Sequence, residues 1–259
     1  MSKNRISRVW AYRHTLWDMA LASLKSKYSG SILGITWAFI NPLLIVTAVT
    51  FVFSAVFKIE IKNFPLFALA GIFPWSFLSG ALSEATFSLL GQQNILRQFS
   101  LPRGLIPLSS VLSNFLNFLI GWLVAYPLFL FFNPKIILLL PLLLLVLLLN
   151  LVFGCGLGMI LAILNVFFRD TGHLLGVVLM FWFWITPVFY SPEMVPQQLR
   201  WAVNFNPATA YVVYYRQVIF HNNIPGFPTF AGVFFWAFAS IILGFLVFSR
   251  LESKILKQL

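Results

Sequence analysis

Charge is what this chain has least of. Of its 259 residues 9% are charged and 60% are hydrophobic, and only six are acidic. A soluble domain carries about 25% charged residues, so a water-solvated fold is excluded and an integral membrane protein is expected. Cysteine occurs once, as Cys155 inside an apolar run, which excludes an intrachain disulfide and implies no redox chemistry. His14, His173 and His221 are far apart and fit no ligand spacing, so no metal site is expected. No Gly-Lys dipeptide occurs, which excludes a Walker A phosphate loop. The net charge of +11 does not point to nucleic acid, because the basic residues sit in short clusters between apolar runs rather than along one face. The first 32 residues are charged throughout and the apolar run behind them is too long for a signal core, so no cleavable signal peptide is expected.

What fills the chain instead is a series of nearly charge-free runs. A membrane helix needs about 20 such residues. The expected fold is all-α, a single transmembrane domain of six transmembrane helices, with spans at 33–57, 64–90, 104–132, 137–168, 174–191 and 228–249. The third and fourth exceed the minimum and are expected to tilt or protrude. Residues 201–215 are short for a span and contain Pro207, so the outer segment 192–226 is read as a re-entrant or interfacial hairpin. Six spans place both termini on one side. Taking that side as the cytoplasm puts twelve basic residues inside: Lys3, Arg5, Arg8, Arg13, Lys25, Lys27, Arg97, Arg103, Arg169, Arg250, Lys254 and Lys257. Five lie outside, Lys58, Lys62, Lys135, Arg200 and Arg216, in keeping with the positive-inside rule. Seven spans would give a poorer split of nine against eight.

The lead-in, residues 5–30, reads as an amphipathic interface helix. Trp17, Leu21, Leu24 and Tyr28 share one helical face, and Asp18 and Lys25 lie opposite. Such a helix lies in the plane of a membrane surface; the plainer alternative is a surface helix on a soluble core. It turns at Ser29-Gly30-Ser31 into the first span. Residues 91–103 (GQQNILRQFSLPR) form a polar loop with a short helical centre, stopped by Pro102.

Five of the six carboxylates fall in loops or tails, and Glu84 lies in the inner part of the second span. It is either a functional intramembrane acid, such as a proton relay, or an interfacial residue paired with Arg97 or Arg103. Gly154, Gly158 and Ala162 repeat every four residues and suit close helix packing, within a protomer or across a dimer. Phe73, Trp75, Trp182, Trp184, Phe189 and Tyr190 are candidates to line a path for a carbohydrate, whose C–H faces stack on rings. The alternative is an aromatic belt with core packing.

An ordered set of motifs then carries a resemblance. Leu24-Lys25-Ser26-Lys27-Tyr28 precedes Ser31, Leu33-Gly34, Trp37 and Pro42. Gly71-Ile72-Phe73-Pro74-Trp75 follows, then Asn94-Ile95-Leu96, Leu101-Pro102-Arg103 and Pro107. Asn165-Val166-Phe167-Phe168-Arg169-Asp170, Thr186-Pro187-Val188, Asn206-Pro207 and Tyr215-Arg216 complete the series. The set resembles ABC exporter permeases for polysaccharides and polyol phosphates, the membrane subunits for O-antigen, capsule and teichoic acid export. It spans nearly the whole chain, departing at Asn117, where many relatives carry an acid.

The resemblance implies a homodimer with a channel between protomers, in the bacterial inner membrane with both termini cytoplasmic. Two nucleotide-binding ATPase subunits would supply ATP and Mg, this chain being neither an enzyme nor a holder of cofactors. Gln92, Gln93, Asn94, Ile95, Leu96, Arg97 and Gln98 would form the coupling helix, with the lead-in helix as a second contact. The outer hairpin would gate the exit. The cargo would be a glycan on polyprenyl pyrophosphate, of O-antigen type in preference to teichoic acid or capsule. Lys25 and Lys27 would hold its headgroup or, more simply, attract anionic membrane lipid. A membrane glycan ligase or polymerase would need Glu193 or His221, and a passive channel would need no partner.

Overall fold

A computed structural model describes residues 11–52, 63–99 and 101–258. Lys3, Arg5, Arg8, Lys58, Glu60, Lys62 and the expected outer end of the first span, 53–57, lie outside the described residues. Among the described residues every regular element is helical. The main helices are α1 (Arg13–Tyr28), α2 (Trp37–Phe51), α3 (Phe64–Gly91), α4 (Gln93–Gln98), α5 (Leu105–Phe132) and α6 (Leu140–Phe167). They continue with α7 (Thr171–Ile185), α8 (Arg200–Asn204), α9 (Pro207–Ile219), α10 (Phe227–Leu251) and α11 (Ile255–Gln258).

Among the described residues five helical segments are long and apolar enough to cross a membrane: 34–51, 64–91, 105–131, 134–167 and 227–254. The expected fifth span, 174–191, is shorter, because α7 has 15 residues, roughly 22 Å against a hydrocarbon core of about 30 Å. Pro187 explains where it stops. The residue before a proline is driven out of the α region, and Thr186 is extended, at φ −81° and ψ 130°. Proline also marks helix starts, where its missing N–H is not needed, as at the first turns of α3, α9 and α10.

α3 is the central post, buried along most of its length and packed by α5, α6, α2, α9 and α7. Lipid offers helices no hydrophobic drive to associate, so small residues that permit close approach decide the packing. Gly154 and Gly158 face Phe77, Val111 and Ala85, which assigns that stripe to packing inside the protomer. A second contact is tighter still. A Cβ on Gly156 would stand 2.2 Å from the Ser240 backbone, and one on Gly244 would stand 2.4 Å from the Gly156 carbonyl oxygen. α6 and α10 therefore cross backbone to backbone. The aromatic residues of α3 and α5 (Phe73, Phe77, Phe115, Phe118, Trp122 and Phe129) form one continuous ring cluster in the core. A smaller core gathers Leu89, Leu96, Ile106, Met159, Ile163, Val166, Phe248 and Ile255 around α4 and the chain end.

Candidate functional site

Three places bring together the residues singled out by sequence. The first is α4. Leu96 is buried in the smaller core, whereas Gln93, Asn94, Ile95, Arg97, Gln98 and the following Phe99 are exposed, and Gln92 is half-buried. One residue anchors the helix and the rest present a surface. Arg103 donates to the Glu252 carbonyl, which ties the chain end beneath this helix. Arg169 and Asp170 are also exposed. They follow α6, whose Asn165 amide donates to the Thr86 carbonyl of α3 and accepts from the Gly172 N–H of α7. Asn165 thus fastens three helices near this end.

The second place is a polar junction within the length of α3. Glu84 pairs with Lys27, at 2.5 Å, and not with Arg97 or Arg103. Asn114 of α5 sits between them, accepting from Lys27 Nζ at 3.0 Å and donating to Glu84 Oε2 at 2.7 Å. Gly80 makes this possible, since a Cβ there would lie 3.0 Å from Asn114 Oδ1. Tyr28 donates to Asn117 one turn further along α5. A cavity of about 50 Å³ borders Asn114, Asn117 and Ser76, room enough for a few waters by the 10–15 Å³ each requires. Glu84 lies roughly 10 Å in from the Gly91 end of α3, at 1.5 Å per residue. With Glu84 beside it, the Lys27 charge is already paired, which weakens it as an anion holder.

α1 reaches this junction by its last turn. It packs on α5 through buried Ala20 and Leu24, while Leu21 and Tyr28 are half-buried and Trp17 and Lys25 are exposed. The apolar face expected from spacing is therefore divided, Leu24 turning to the protein and Trp17 outward.

The third place is the C-terminal end of α7. Arg216, which sequence counts among the outer basic charges, is buried. Its guanidinium donates to the carbonyls of Val188 and Tyr190 and lies 3.5 Å over the Phe67 ring. Gly71 leaves the room, as a Cβ there would meet the Val188 oxygen at 2.6 Å. Asn206 caps α9 by accepting the Ala208 N–H, accepts from Trp182 Nε1 at 2.6 Å, and donates to Thr186 Oγ1 at 2.9 Å. Of the six aromatic candidates, Phe73, Trp75 and Phe189 are buried within the protomer. Trp182 packs edge-on against Trp75. Tyr190 is half-buried with its hydroxyl donating to the Trp184 carbonyl, and Trp184 is exposed.

Residues 15–220 match the family model described as ABC-2 type transporter. The chain belongs to that family. As an ABC-2 permease it is a membrane transport subunit of a class that works with ATPase subunits. It is similar to an O-antigen export system permease protein, RfbA, of Klebsiella pneumoniae, at 28% identity over 235 residues, 89% of each chain. It is similar at 28% over 251 residues to the RfbA of Myxococcus xanthus, covering 91% of this chain and 94% of that one. The α4 surface and the polar junction lie inside the matched region of the ABC-2 permease, apart from the chain end under α4. The C-terminal end of α7 lies wholly inside it.

Sequence reasoning missed Lys27 as the partner of Glu84, and Asn114 altogether. The signal available was the pairing of an intramembrane acid with the Lys nearest the membrane entry. It also missed the buried setting of Arg216.

Proposed function

We propose that this ABC-2 permease is the channel-forming membrane subunit of an ATP-driven exporter. Its cargo is lipid-linked polysaccharide of O-antigen type, moved from the cytoplasm to the outer side of the inner membrane. The likeness to O-antigen permeases over about nine-tenths of both chains carries this reading. In it, α7 and the chain that follows make the fifth of six spans, α1 lies at the inner interface, and both termini are cytoplasmic. α8 and α9 belong to the outer hairpin, and two copies of the chain enclose the path. The exposed Trp184 and neighbouring Tyr190 are its lining candidates. α4 is the coupling helix, with Ile95 and Phe99 as the apolar contacts offered to the ATPase and Leu96 as their support.

Purification from the native membrane in mild detergent tests this. An ATP-binding subunit is expected in equal amount, with ATPase activity and ATP-dependent export on reconstitution. The Ile95→Asp/Phe99→Asp variant is expected to insert normally and lose the partner. Leu96→Ala is expected instead to lower the stability of the protein itself, by about 2–4 kcal/mol for a buried leucine. A permease that comes off alone and inert in repeated preparations overturns the proposal.

A further inference from the structure

We propose that Lys27, Glu84 and Asn114, with Tyr28 and Asn117 beside them, form a latch through which movement of α1 reaches α3 and α5 in each transport cycle. The inference rests on the reading of α1 as an interface helix of an ATP-driven permease. It does not depend on which glycan is carried.

The geometry favours transmission along this route over the alternative through the chain. α1 is joined covalently to α2 through a glycine turn: Gly30 and Gly34 hold positive φ values of 79° and 51°, and among the described residues no atom beyond their chain neighbours and own backbone lies within 4 Å of where a Cβ would stand on either. Turn-type backbone hydrogen bonds, Ser31 N–H to the Tyr28 carbonyl and Gly34 N–H to the Ser31 carbonyl, close it locally without reaching α3 or α5. The last turn of α1, by contrast, is held by polar contacts to both α3 and α5. Asn114 engages the Lys27 ammonium and the Glu84 carboxylate at once and also donates to Ser110 of its own helix. Any displacement of α1 that keeps the ion pair intact must therefore move α3 and α5 with it. Above the latch α1 seats on α5 through buried Ala20 and Leu24, with Met19 and Leu21 half-buried beside them. A charge pair with a shared amide is also directional, unlike an apolar seat, and keeps its register as the helices tilt. These are positioning residues, since nothing assigns them a contact with the cargo.

The measurement is glycan exported per ATP hydrolysed by the complete complex in proteoliposomes. Lys27→Met is expected to keep ATP hydrolysis within about twofold of wild type while export per ATP falls tenfold or more. Lys27→Arg, which preserves the pair, is expected to retain most of the coupling. Charge exchange in Lys27→Glu/Glu84→Lys is expected to recover at least part of what each single change loses. Tyr28→Phe deletes one hydroxyl and keeps the ring, so it is the deciding variant if Lys27→Met does not insert; a three- to tenfold fall is expected. Wild-type export per ATP in Lys27→Met, or in Tyr28→Phe where Lys27→Met does not insert, overturns the latch. Equal loss of hydrolysis and export also overturns it, because that marks an assembly defect. Absence of ATP-dependent export in the wild type would instead sink the proposed function.

Discussion

Gly156→Ala is the most informative single change, because it adds one carbon at a point where only backbone stands in the way. The new Cβ would lie 2.2 Å from the Ser240 carbonyl carbon, 2.4 Å from its oxygen and 2.5 Å from the Ile241 nitrogen. Ordinary contact begins at 3.4 Å, so α6 and α10 must part by about 1 Å. No side chain can rotate away to absorb this. Overpacking of this kind costs about 1–3 kcal/mol. A gap of 0.5–1 Å elsewhere along the seam forfeits a quarter to a half of each contact's attraction. The buried stripe Val233, Ala237, Ser240, Gly244 and Phe248 is the seam that opens. We expect a loss of about 3 kcal/mol, reduced by up to about 1 kcal/mol through the better helix propensity of alanine. Gly176→Ala on α7 is the matched control. Nothing lies within 4 Å of its Cβ position, so it keeps the propensity gain alone, up to about 1 kcal/mol. Thermal unfolding in detergent should separate the two variants by about 6 °C or more. Equal stability of Gly156→Ala and Gly176→Ala would refute the backbone-to-backbone crossing.

Two further outcomes are expected. Arg216→Met leaves the Val188 and Tyr190 carbonyls without their donor, and should destabilise by about 2–4 kcal/mol in the same unfolding assay. Arg216→Lys should recover little, since an ammonium cannot reproduce the fork of a guanidinium. In the loop after α7, Ser191 donates to Glu193 and holds its carboxyl below the usual carboxylate range, helped by a backbone hydrogen bond and by nearby His221 and Arg200. A lowered folded-state value means the contribution is complete above the unfolded value of about 4.3 and is lost as pH falls through the folded value. The stability difference between wild type and Glu193→Gln should therefore be constant near neutrality and disappear in acid.

The long apolar helices could be read from the sequence because the signal is local: a charge-free run of sufficient length, broken by Pro102, Pro187 and Pro207, has few alternatives in lipid. Pairings across the fold left no such trace. Lys27 and Glu84 lie on different helices with no periodic relation, and either is plausible as a headgroup contact or relay when read alone. Arg216 looks like an outer-face cation because a run of residues records charge and not depth. The Gly154, Gly158 and Ala162 stripe was visible because it repeats. Gly156 and Gly244 contribute one glycine each to a tighter crossing, and a single glycine has no period. At α4 the polar loop and its helical centre were legible, but the division between buried Leu96 and exposed Ile95 depends on what lies beneath.

α7 resembles a beam fixed at both supports. At one end the Asn165 side chain grips its first turn, and at the other Asn206 holds both Trp182 and Thr186. Between the supports its outward side, with Leu174, Val177, Val178, Phe181 and Trp184, is exposed on the protomer. A short beam held this way bows very little. In the proposed exporter, an aperture bordered by this surface would change width by displacement of whole bundles, with α7 riding on α3 and α9. The bore would be set by how far two rigid bodies separate and not by how a wall flexes, which suits cargo of uniform girth and indefinite length.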